Sequence, residues 1–489
     1  MQSQVYRESE YSRMRSNDSK LVDRSLNLMT VAAVLSKIGS GITQIFVGWY
    51  LVPEEFALFA AAMSAQLVAA GMRDAGVGRY LVQKGEYTTY APTAAVFALV
   101  VNAIGIALIF CAIPAFSSLY NQPQLLSVVG PIALCVPFQA FATIYRSKLR
   151  IDMRFDKVAK IEVSAAFVQY ACTIFAASMS FGVYSLVLGA IAGTLAQFII
   201  GRSFAGKLMQ GGPISLHSLA EMWRSCRWII VSAFLLVLSL RGDYLVLGAI
   251  NDKSLVGEYY FGFQVAFSLA VILVVPLQSV YLPKLSQILR QGEDGVSALQ
   301  QAADKLAFKS AAASFAAALV APEAFNLLWA GKWDGAVGVF MAVMLTTPVF
   351  VMGYLSGVFL EAHGKWRNCA WLMAMQAGII VGAAIISLIQ PRMWFIVAWM
   401  VAGRVAIAIL QLVYVHRITG KTLWGIVGSF GRWQTIFGSI FAAAWILSAT
   451  ADQVLQSFSV KVVVMALCCA AVGFKYREEF HSVKLPLRR

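Results

Sequence analysis

Residues 26–83 read LNLMTVAAVLSKIGSGITQIFVGWYLVPEEFALFAAAMSAQLVAAGMRDAGVGRYLVQ. Two long apolar runs flank the short link at residues 52–55. Because an apolar helix of about 20 residues matches the hydrocarbon thickness of a bilayer, the stretch predicts a pair of membrane-spanning helices. Lys37 lies inside the first run, and Arg73 and Asp74 lie inside the second.

A second stretch, residues 227–283, repeats this layout. Its first apolar run carries Arg241 and Asp243, a polar link follows at residues 251–254, and a second long apolar run comes next. Internal repetition of this kind is how many transporters are built. The sequence therefore predicts two related halves.

The composition indicates a polytopic membrane protein. Of the 489 residues, 59% are hydrophobic and 13% are charged, whereas soluble domains carry about 25% charged residues. The net charge of +15 would indicate a nucleic-acid partner in a soluble protein, but here it follows from basic loops on one side of the membrane. We expect no nucleic-acid partner.

The sequence contains no motif of a soluble enzyme. It has no GxxxxGK[ST] nucleotide loop, no HExxH motif and no Gly-x-Ser-x-Gly elbow. Most of the seven cysteines fall inside apolar runs, and no pair has metal-ligand spacing. We expect a protein that is not an enzyme and that has no metal or other cofactor.

Apolar runs and turn signals together predict an all-α polytopic fold with fourteen spans. The spans begin near residues 27, 56, 91, 124, 158, 182, 228, 256, 308, 336, 368, 394, 434 and 457.

The basic residues support this span count independently. With the N-terminal tail placed in the cytoplasm, 31 of the 39 Lys and Arg residues fall in cytoplasmic segments. Four lie within spans, and four lie in outer loops, namely Lys253, Lys332, Arg392 and Lys461. Since cytoplasmic loops of membrane proteins are enriched in Lys and Arg, both termini are predicted to be cytoplasmic.

The span map divides the chain into two pseudo-symmetric six-helix lobes followed by two additional helices. The predicted segments are a cytoplasmic tail at 1–25, an N-terminal lobe at 26–208, a linker at 209–226, a C-terminal lobe at 227–418, the last two spans at 419–475 and a cytoplasmic tail at 476–489.

Four cations within the spans are the best candidates for a binding site: Lys37, Arg73, Arg241 and Arg404. A charged side chain at the bilayer centre costs about 2.5 to 3.5 kcal/mol even on insertion scales, so such residues normally face a bundle interior or a wet cavity. Aligning the two repeats places Arg241 one helical turn from the position of Lys37, on the same face. We therefore expect a shared cationic cavity that binds an anion.

The two intramembrane carboxylates have two interpretations. Asp74 and Asp243 could bind a coupling ion, either a proton or sodium. Alternatively, the pairs Arg73 with Asp74 and Arg241 with Asp243 could be ion pairs that lock helices together. Adjacent residues on a helix do not face each other, so each of these side chains requires a partner from elsewhere.

Several motifs resemble those of a known exporter family. The segments LVPEEFALFA at 51–60 and DAGVGRYLVQ at 74–83 resemble the opening of bacterial polysaccharide exporters. The segments YRSKLRIDMRF at 145–155, FGVYSLV at 181–187 and DYLVLG at 243–248 extend the likeness. The chain is identified as a member of the polysaccharide transporter branch of the multidrug/oligosaccharidyl-lipid/polysaccharide exporter superfamily, which includes Wzx-type flippases.

This resemblance implies a V-shaped pair of six-helix lobes that moves undecaprenyl-pyrophosphate-linked sugar repeat units to the outer leaflet of the bacterial cytoplasmic membrane. The implied mechanism is alternating access, and the implied product is a surface polysaccharide such as exopolysaccharide or lipopolysaccharide. Ala57 stands where the family favours glycine and Tyr184 where it favours tryptophan. Neither departure bears on the substrate.

Other functions remain open at this point. A peptidoglycan-precursor flippase would also need a basic cavity, whereas a cation-coupled drug antiporter would need a carboxylate-rich one. A membrane polysaccharide polymerase or glycosyltransferase would need a sizeable loop with acid, base or metal-binding residues. A purely structural subunit would leave the matched cations without a task. We expect a monomer whose partners are lipid-linked oligosaccharide, membrane lipids and the polymerase and chain-length machinery.

Overall fold

The structure is a computed structural model, and it describes residues 29, 31–67, 69, 71–206, 216–276, 281–292, 295–363, 366–420, 423–448, 459, 461 and 463. The predicted tails at 1–25 and 476–489 lie outside the described residues, as does most of the predicted fourteenth span.

The first half of the chain contains eight helices. They are α1 (Val31–Tyr50), α2 (Pro53–Leu67), α3 (Val77–Lys84), α4 (Tyr87–Tyr120), α5 (Leu125–Leu134), α6 (Val136–Ile151), α7 (Phe155–Ser178) and α8 (Tyr184–Ala205). Together α5 and α6 form one membrane-length element, Leu125–Ile151. We call α1 to α8 the N-lobe.

The second half contains seven helices in the same order, and one further helix follows. They are α9 (Leu216–Leu247), α10 (Lys253–Pro276), α11 (Leu282–Arg290), α12 (Gly295–Trp329), α13 (Asp334–Ala362), α14 (Trp366–Ser387), α15 (Met393–Thr419) and α16 (Trp424–Ser448). We call α9 to α15 the C-lobe. Because α9 begins at Leu216, residues 216–226 of the predicted linker are helical.

The predicted all-α polytopic fold is confirmed. Eleven helices in the described part of the chain are long and apolar enough to cross a membrane. In each lobe two helices precede a short helix, α3 or α11, and four membrane-length elements follow it. The short helices are amphipathic, as expected at the edge of a bilayer: α3 buries Val77, Tyr80 and Leu81 and exposes Lys84.

The bundle has two chemically different ends. We call one the short-link end, because it carries the short links at residues 51–52, 121–124, 179–183, 248–252 and 330–333. The opposite end, where α1, α4, α7, α9 and α12 begin, is called the basic end.

The second span is broken, contrary to the sequence-based expectation of one long helix. The helix α2 ends at Leu67, and residues 71–76 form turns and bends before α3 begins. Ala75 and Gly76 adopt left-handed backbone conformations with φ of 51° and 71°, which an α-helix cannot contain. Arg73 and Asp74 therefore lie on irregular backbone, which membrane proteins tolerate where it is buried in protein or lines a cavity.

At the short-link end, tryptophan side chains of the C-lobe bond to the backbone of α1. The indole N–H of Trp329 donates to the Ile45 carbonyl at 3.1 Å, and that of Trp333 donates to the Gly48 carbonyl at 2.9 Å. In return, the indole of Trp49 donates to the Leu328 carbonyl at 2.5 Å. These bonds fix the end of α1 against the end of α12.

An aromatic cluster fills the space behind these hydrogen bonds. Phe261 of α10 stacks on Trp333 with ring centroids 4.0 Å apart, and Phe56 of α2 meets both rings at 5.2 Å. Gly257 of α10 lies against the Pro53 carbonyl so closely that a β-carbon would overlap it. The two lobes therefore share one apolar core at the short-link end.

The helix α9 contacts the N-lobe at both ends of the bundle. Near its start, Glu221 accepts a hydrogen bond from Lys84 of α3 at 2.6 Å, and this bond raises the pKa of Lys84. Near its end, the Leu245 carbonyl accepts a hydrogen bond from the Tyr120 hydroxyl of α4 at 2.8 Å. A helix of the C-lobe thus joins the two lobes along its length.

Lys461 is buried, although its position in the sequence predicted an outer loop. Its ammonium group lies 2.5 Å from the Glu323 carboxylate of α12 and 4.4 Å from the ring of Trp445 in α16. A carboxylate and an aromatic face compensate the charge within the apolar surroundings. Because the two partners are distant in sequence, charge counting could not find this pair.

We expect Trp333→Phe to loosen the short-link end while preserving the aromatic cluster. The variant loses one hydrogen bond between the lobes, worth about 0.5 to 1.5 kcal/mol. Spin labels at Ser180 in the N-lobe and Ile389 in the C-lobe should report a larger population at long distances. The control is Trp394→Phe, which removes the indole of an exposed tryptophan. Identical distance distributions in Trp333→Phe and the unmodified protein would contradict the assignment.

Candidate functional site

One face of α1 presents polar groups to the space between the lobes. On another face, the Tyr170 hydroxyl of α7 donates to the Ser36 carbonyl at 2.7 Å and fixes the orientation of α1. This orientation places Lys37 close enough to Arg241 of α9 for electrostatic repulsion. One turn further along lies Gly41, whose side-chain direction meets open space. Lys37 therefore projects toward the C-lobe.

Arg73 reaches the same region from the broken segment after α2. Its guanidinium group donates a hydrogen bond to Gln66 Oε1 at 3.2 Å. It also lies near enough to Arg241 to repel it electrostatically. The turn at residues 71–76 thus holds a guanidinium group between α2 and α9, a position that a continuous helix would not provide.

Arg241 completes a cluster of three cations drawn from both lobes, which we call the cation cluster (Lys37, Arg73 and Arg241). The Tyr260 side chain of α10 is hydrogen-bonded to Arg241. Among the described residues, no ion pair joins Arg73 to Asp74 or Arg241 to Asp243. The structure brings these three predicted residues together, and their role in binding stays a prediction.

Arg404 lies beside a polar cluster inside the C-lobe. Its guanidinium carbon lies 4.7 Å from the ring centroid of Phe263. The Phe263 ring contacts Tyr259, whose hydroxyl donates to Asp243 Oδ2 at 2.8 Å. Arg404 and Arg241 are both close enough to Asp243 for an electrostatic attraction. That all four cations share one cavity stays a prediction.

Asp243 is buried, with only 1% of its surface exposed. Its second oxygen, Oδ1, and the hydroxyl of the neighbouring Tyr244 have no hydrogen-bond partner. Since a buried polar atom normally finds a partner, this pair of groups could accommodate a small polar species such as a proton, a cation or water.

Asp74 lies apart from Asp243. Its side chain is exposed and is directed toward α6, where it interacts electrostatically with Arg146. The two predicted coupling residues thus differ in their surroundings: Asp243 is buried and Asp74 is exposed.

The N-lobe also contains a small cavity, and Arg73 is the only one of its lining residues that the sequence predicted as part of a site. It is lined by Gln66, Ala69, Met72, Arg73, Asn102, Gly105, Ile106, Ile109 and Val136. Asn102 is 1% exposed, and neither of its side-chain polar atoms has a partner. The available signal was a single amide in the long apolar run of α4, which is also typical of helix contacts.

These features define a class of protein. Two pseudo-symmetric helical lobes with half-buried cations between them, and with a broken span at the cluster, define a two-lobed polytopic membrane fold. Solved structures have the same fold. The chain superposes on the lipid II flippase MurJ in an inward closed conformation with a TM-score of 0.74 and 11% identity, over 93% of this chain and 100% of that chain. An inward-facing multidrug resistance transporter of the MATE family of the MOP superfamily gives 0.58 and 16%, over 78% and 93%.

The chain belongs to the polysaccharide biosynthesis protein family, whose model matches residues 50–338. It is also 21% identical over 339 residues to the lipopolysaccharide biosynthesis protein WzxC of Escherichia coli strain K12, covering 67% of each chain. The predicted membership of the polysaccharide transporter branch of the MOP superfamily is confirmed. The protein is a multi-pass membrane transporter and not an enzyme.

We expect Arg404→Gln to lower the stability of the protein more than the same substitution does at an exposed arginine. Removing the cation weakens the electrostatic stabilisation of the buried Asp243 carboxylate, to which Arg241 also contributes. Groups in one charge network typically interact by about 0.5 to 3 kcal/mol. Combining it with Asp243→Asn should restore part of the lost stability, because both charges are then absent.

Thermal unfolding of the purified protein tests this double-mutant cycle. The control is Arg392→Gln, which removes an exposed arginine at the start of α15. Additive effects of the two substitutions would show that Arg404 and Asp243 do not interact.

Proposed function

We propose that this protein is a flippase for lipid-linked oligosaccharide. Its cargo is an undecaprenyl-pyrophosphate-linked sugar repeat unit, which it moves across the bacterial cytoplasmic membrane for surface or exopolysaccharide production. The observation that carries the proposal is the cation cluster, in which Lys37 and Arg73 of the N-lobe meet Arg241 of the C-lobe.

The electrostatics of the cluster favour a phosphorylated headgroup. A charged side chain at the bilayer centre costs about 2.5 to 3.5 kcal/mol on insertion scales, and Arg241 also repels both Lys37 and Arg73. A pyrophosphate brings several negative charges and many acceptor oxygens to one place, and arginine recognises phosphate through paired N–H donors. The lipid tail of such a cargo stays in the bilayer beside the lobes, while its sugars require a polar path.

Family membership and charge favour one of the alternatives. A peptidoglycan-precursor flippase would use the same phosphate chemistry, and the fold of MurJ is similar. The matched family is one of polysaccharide biosynthesis, which favours a polysaccharide precursor. A drug antiporter that takes cationic substrates is disfavoured because the inter-lobe site is itself cationic. A polymerase would be an enzyme, a class that the family and its relatives do not support.

The contacts that close the short-link end bear on the direction of transport. In this conformation, tryptophan bonds and a shared aromatic core join the lobes at that end. Release of cargo there requires these contacts to separate, and alternating access is the exchange between the two arrangements. We infer that the short-link end faces away from the cytoplasm and that both termini are cytoplasmic, because the basic connections lie at the other end.

Asp243 is the better of the two candidate coupling residues. It is buried next to an unpartnered tyrosine hydroxyl, whereas Asp74 is exposed. We propose that a proton or sodium ion bound at Asp243 drives the cycle, with no other cofactor. We further propose that the protein works as a monomer with the polysaccharide polymerase and chain-length machinery and has no nucleic-acid partner.

Lys37→Ala should abolish polysaccharide export while the amount of protein in the membrane stays normal. The variant loses a charge-assisted contact to the headgroup, which corresponds to binding that is roughly tenfold weaker or more. Surface polysaccharide and accumulated lipid-linked intermediates are measured in a deletion strain that carries each variant. Lys160→Ala, which removes an exposed lysine of α7, serves as the control. Near-normal export in Lys37→Ala would count against the proposed headgroup site.

Asp243→Asn should change the dependence of transport on an ion gradient. The amide cannot take up a proton and binds sodium more weakly than a carboxylate does. Transport of fluorescent lipid-linked sugar into reconstituted vesicles is measured under proton and sodium gradients separately. Asp74→Asn is the comparison, and we expect it to retain the gradient dependence of the unmodified protein. An unchanged dependence in Asp243→Asn would remove Asp243 as the coupling site.

A further inference from the structure

The N-lobe cavity next to the cation cluster is a second polar site. It lies between α2, the broken segment, α4 and the start of α6, and Arg73 forms part of its wall. Its free volume is about 10 Å³, which is about the space that one water molecule needs. The cavity therefore fits a single small polar group, such as one hydroxyl group of a larger ligand.

Two buried amides in this cavity lack partners. Asn102 is 1% exposed and has neither a donor for its carbonyl oxygen nor an acceptor for its amide nitrogen. Gln66 is 3% exposed; its oxygen accepts a hydrogen bond from Arg73, but its nitrogen has no acceptor. Buried polar groups in folded proteins are nearly always paired. Three unpaired atoms at one cavity therefore indicate a bound water molecule or a ligand group that pairs with them.

The chemistry of these atoms selects the kind of ligand. A cation would meet the Arg73 guanidinium and is excluded by repulsion. An anion would satisfy the amide nitrogens but would leave the Asn102 carbonyl oxygen unpaired. A hydroxyl group both donates and accepts, so it pairs with the carbonyl oxygen and an amide nitrogen together. The conclusion does not depend on the orientation assigned to the Asn102 amide, because a rotated amide also presents one oxygen and one nitrogen to the cavity.

We propose that this cavity binds a hydroxyl group of the sugar next to the phosphates in the transported lipid. This inference rests on the proposed function. Arg73 connects the two sites, because it hydrogen-bonds to Gln66 in the cavity and also belongs to the cation cluster. In the cargo, the first sugar is bonded directly to the phosphates. In the protein, the two sites likewise lie side by side, because Arg73 belongs to both. The cation cluster thus binds any lipid pyrophosphate, and the amides distinguish a lipid that carries a sugar.

The rest of the cavity wall is apolar. Ile106, Ile109 and Met72 supply carbon surface, and Gly105 packs closely against Ala69 and Met72. Only the hydroxyl group of the sugar therefore enters the cavity, and the sugar ring stays outside it.

The test compares two ligands that differ only in the sugar. Binding of undecaprenyl pyrophosphate and of undecaprenyl pyrophosphate bearing one sugar is measured with the full-length protein in nanodiscs. The unmodified protein should prefer the sugar-bearing lipid. Asn102→Leu, which keeps the size of the side chain, should weaken binding of that lipid by roughly tenfold and leave binding of the sugar-free lipid unchanged.

Two further variants make the result specific. Gln66→Met should reduce the preference as Asn102→Leu does, whereas Arg73→Gln should weaken binding of both lipids. Gln124→Leu, at an exposed amide in the link before α5, should change neither. A thermal unfolding curve of each variant establishes that it is folded. If Asn102→Leu does not fold, Gln66→Met provides the test of the cavity in its place.

The outcomes separate this proposal from the one on which it depends. If the unmodified protein binds neither lipid, the proposed function fails. If it binds both lipids equally, or if Asn102→Leu and Gln66→Met leave the preference intact, the cavity holds only water and the sugar subsite is overturned. Equal weakening of both lipids by Asn102→Leu would also overturn it, because the amide would then support the phosphate site.

Discussion

The structure depends on placing three positive charges from two lobes within one apolar bundle. Arg241 lies close enough to both Lys37 and Arg73 to repel them electrostatically. Charged side chains are unfavourable in hydrocarbon unless water or a counter-ion lies beside them. The proposed phosphorylated headgroup is one such counter-ion.

Other contacts must hold the lobes together against this repulsion. They lie mainly at the short-link end, where indole N–H groups bond to the backbone carbonyls of α1 and aromatic rings from both lobes form one core. Along α9, hydrogen bonds to Lys84 and Tyr120 connect the C-lobe to both ends of the N-lobe. These contacts are hydrogen bonds and ring contacts of modest individual strength, and the proposed transport cycle requires them to separate.

The two lobes share an order of helices but differ in their chemistry. The N-lobe offers a cavity with unpaired amides beside Arg73, while the C-lobe encloses Asp243 among tyrosines near Arg404. We propose a hydroxyl-bearing ligand at the first site and a coupling ion at the second. The two lobes thus share an order of helices and differ at the side chains on which these proposals rest.

The sequence by itself determined the fold class, the order of the helices and the presence of four intramembrane cations. The lengths of the apolar runs determine which segments span the bilayer, and the basic loops determine the side on which each loop lies. These properties, like the internal repeat, can be read directly from the sequence. The tertiary structure decided which cations meet, that the second span breaks at residues 71–76, and that Lys461 pairs with Glu323. It also placed Arg404 beside the Phe263 ring and left Asn102 without a partner. These features depend on side chains that are far apart in the chain, and hydropathy carries no information about such distances.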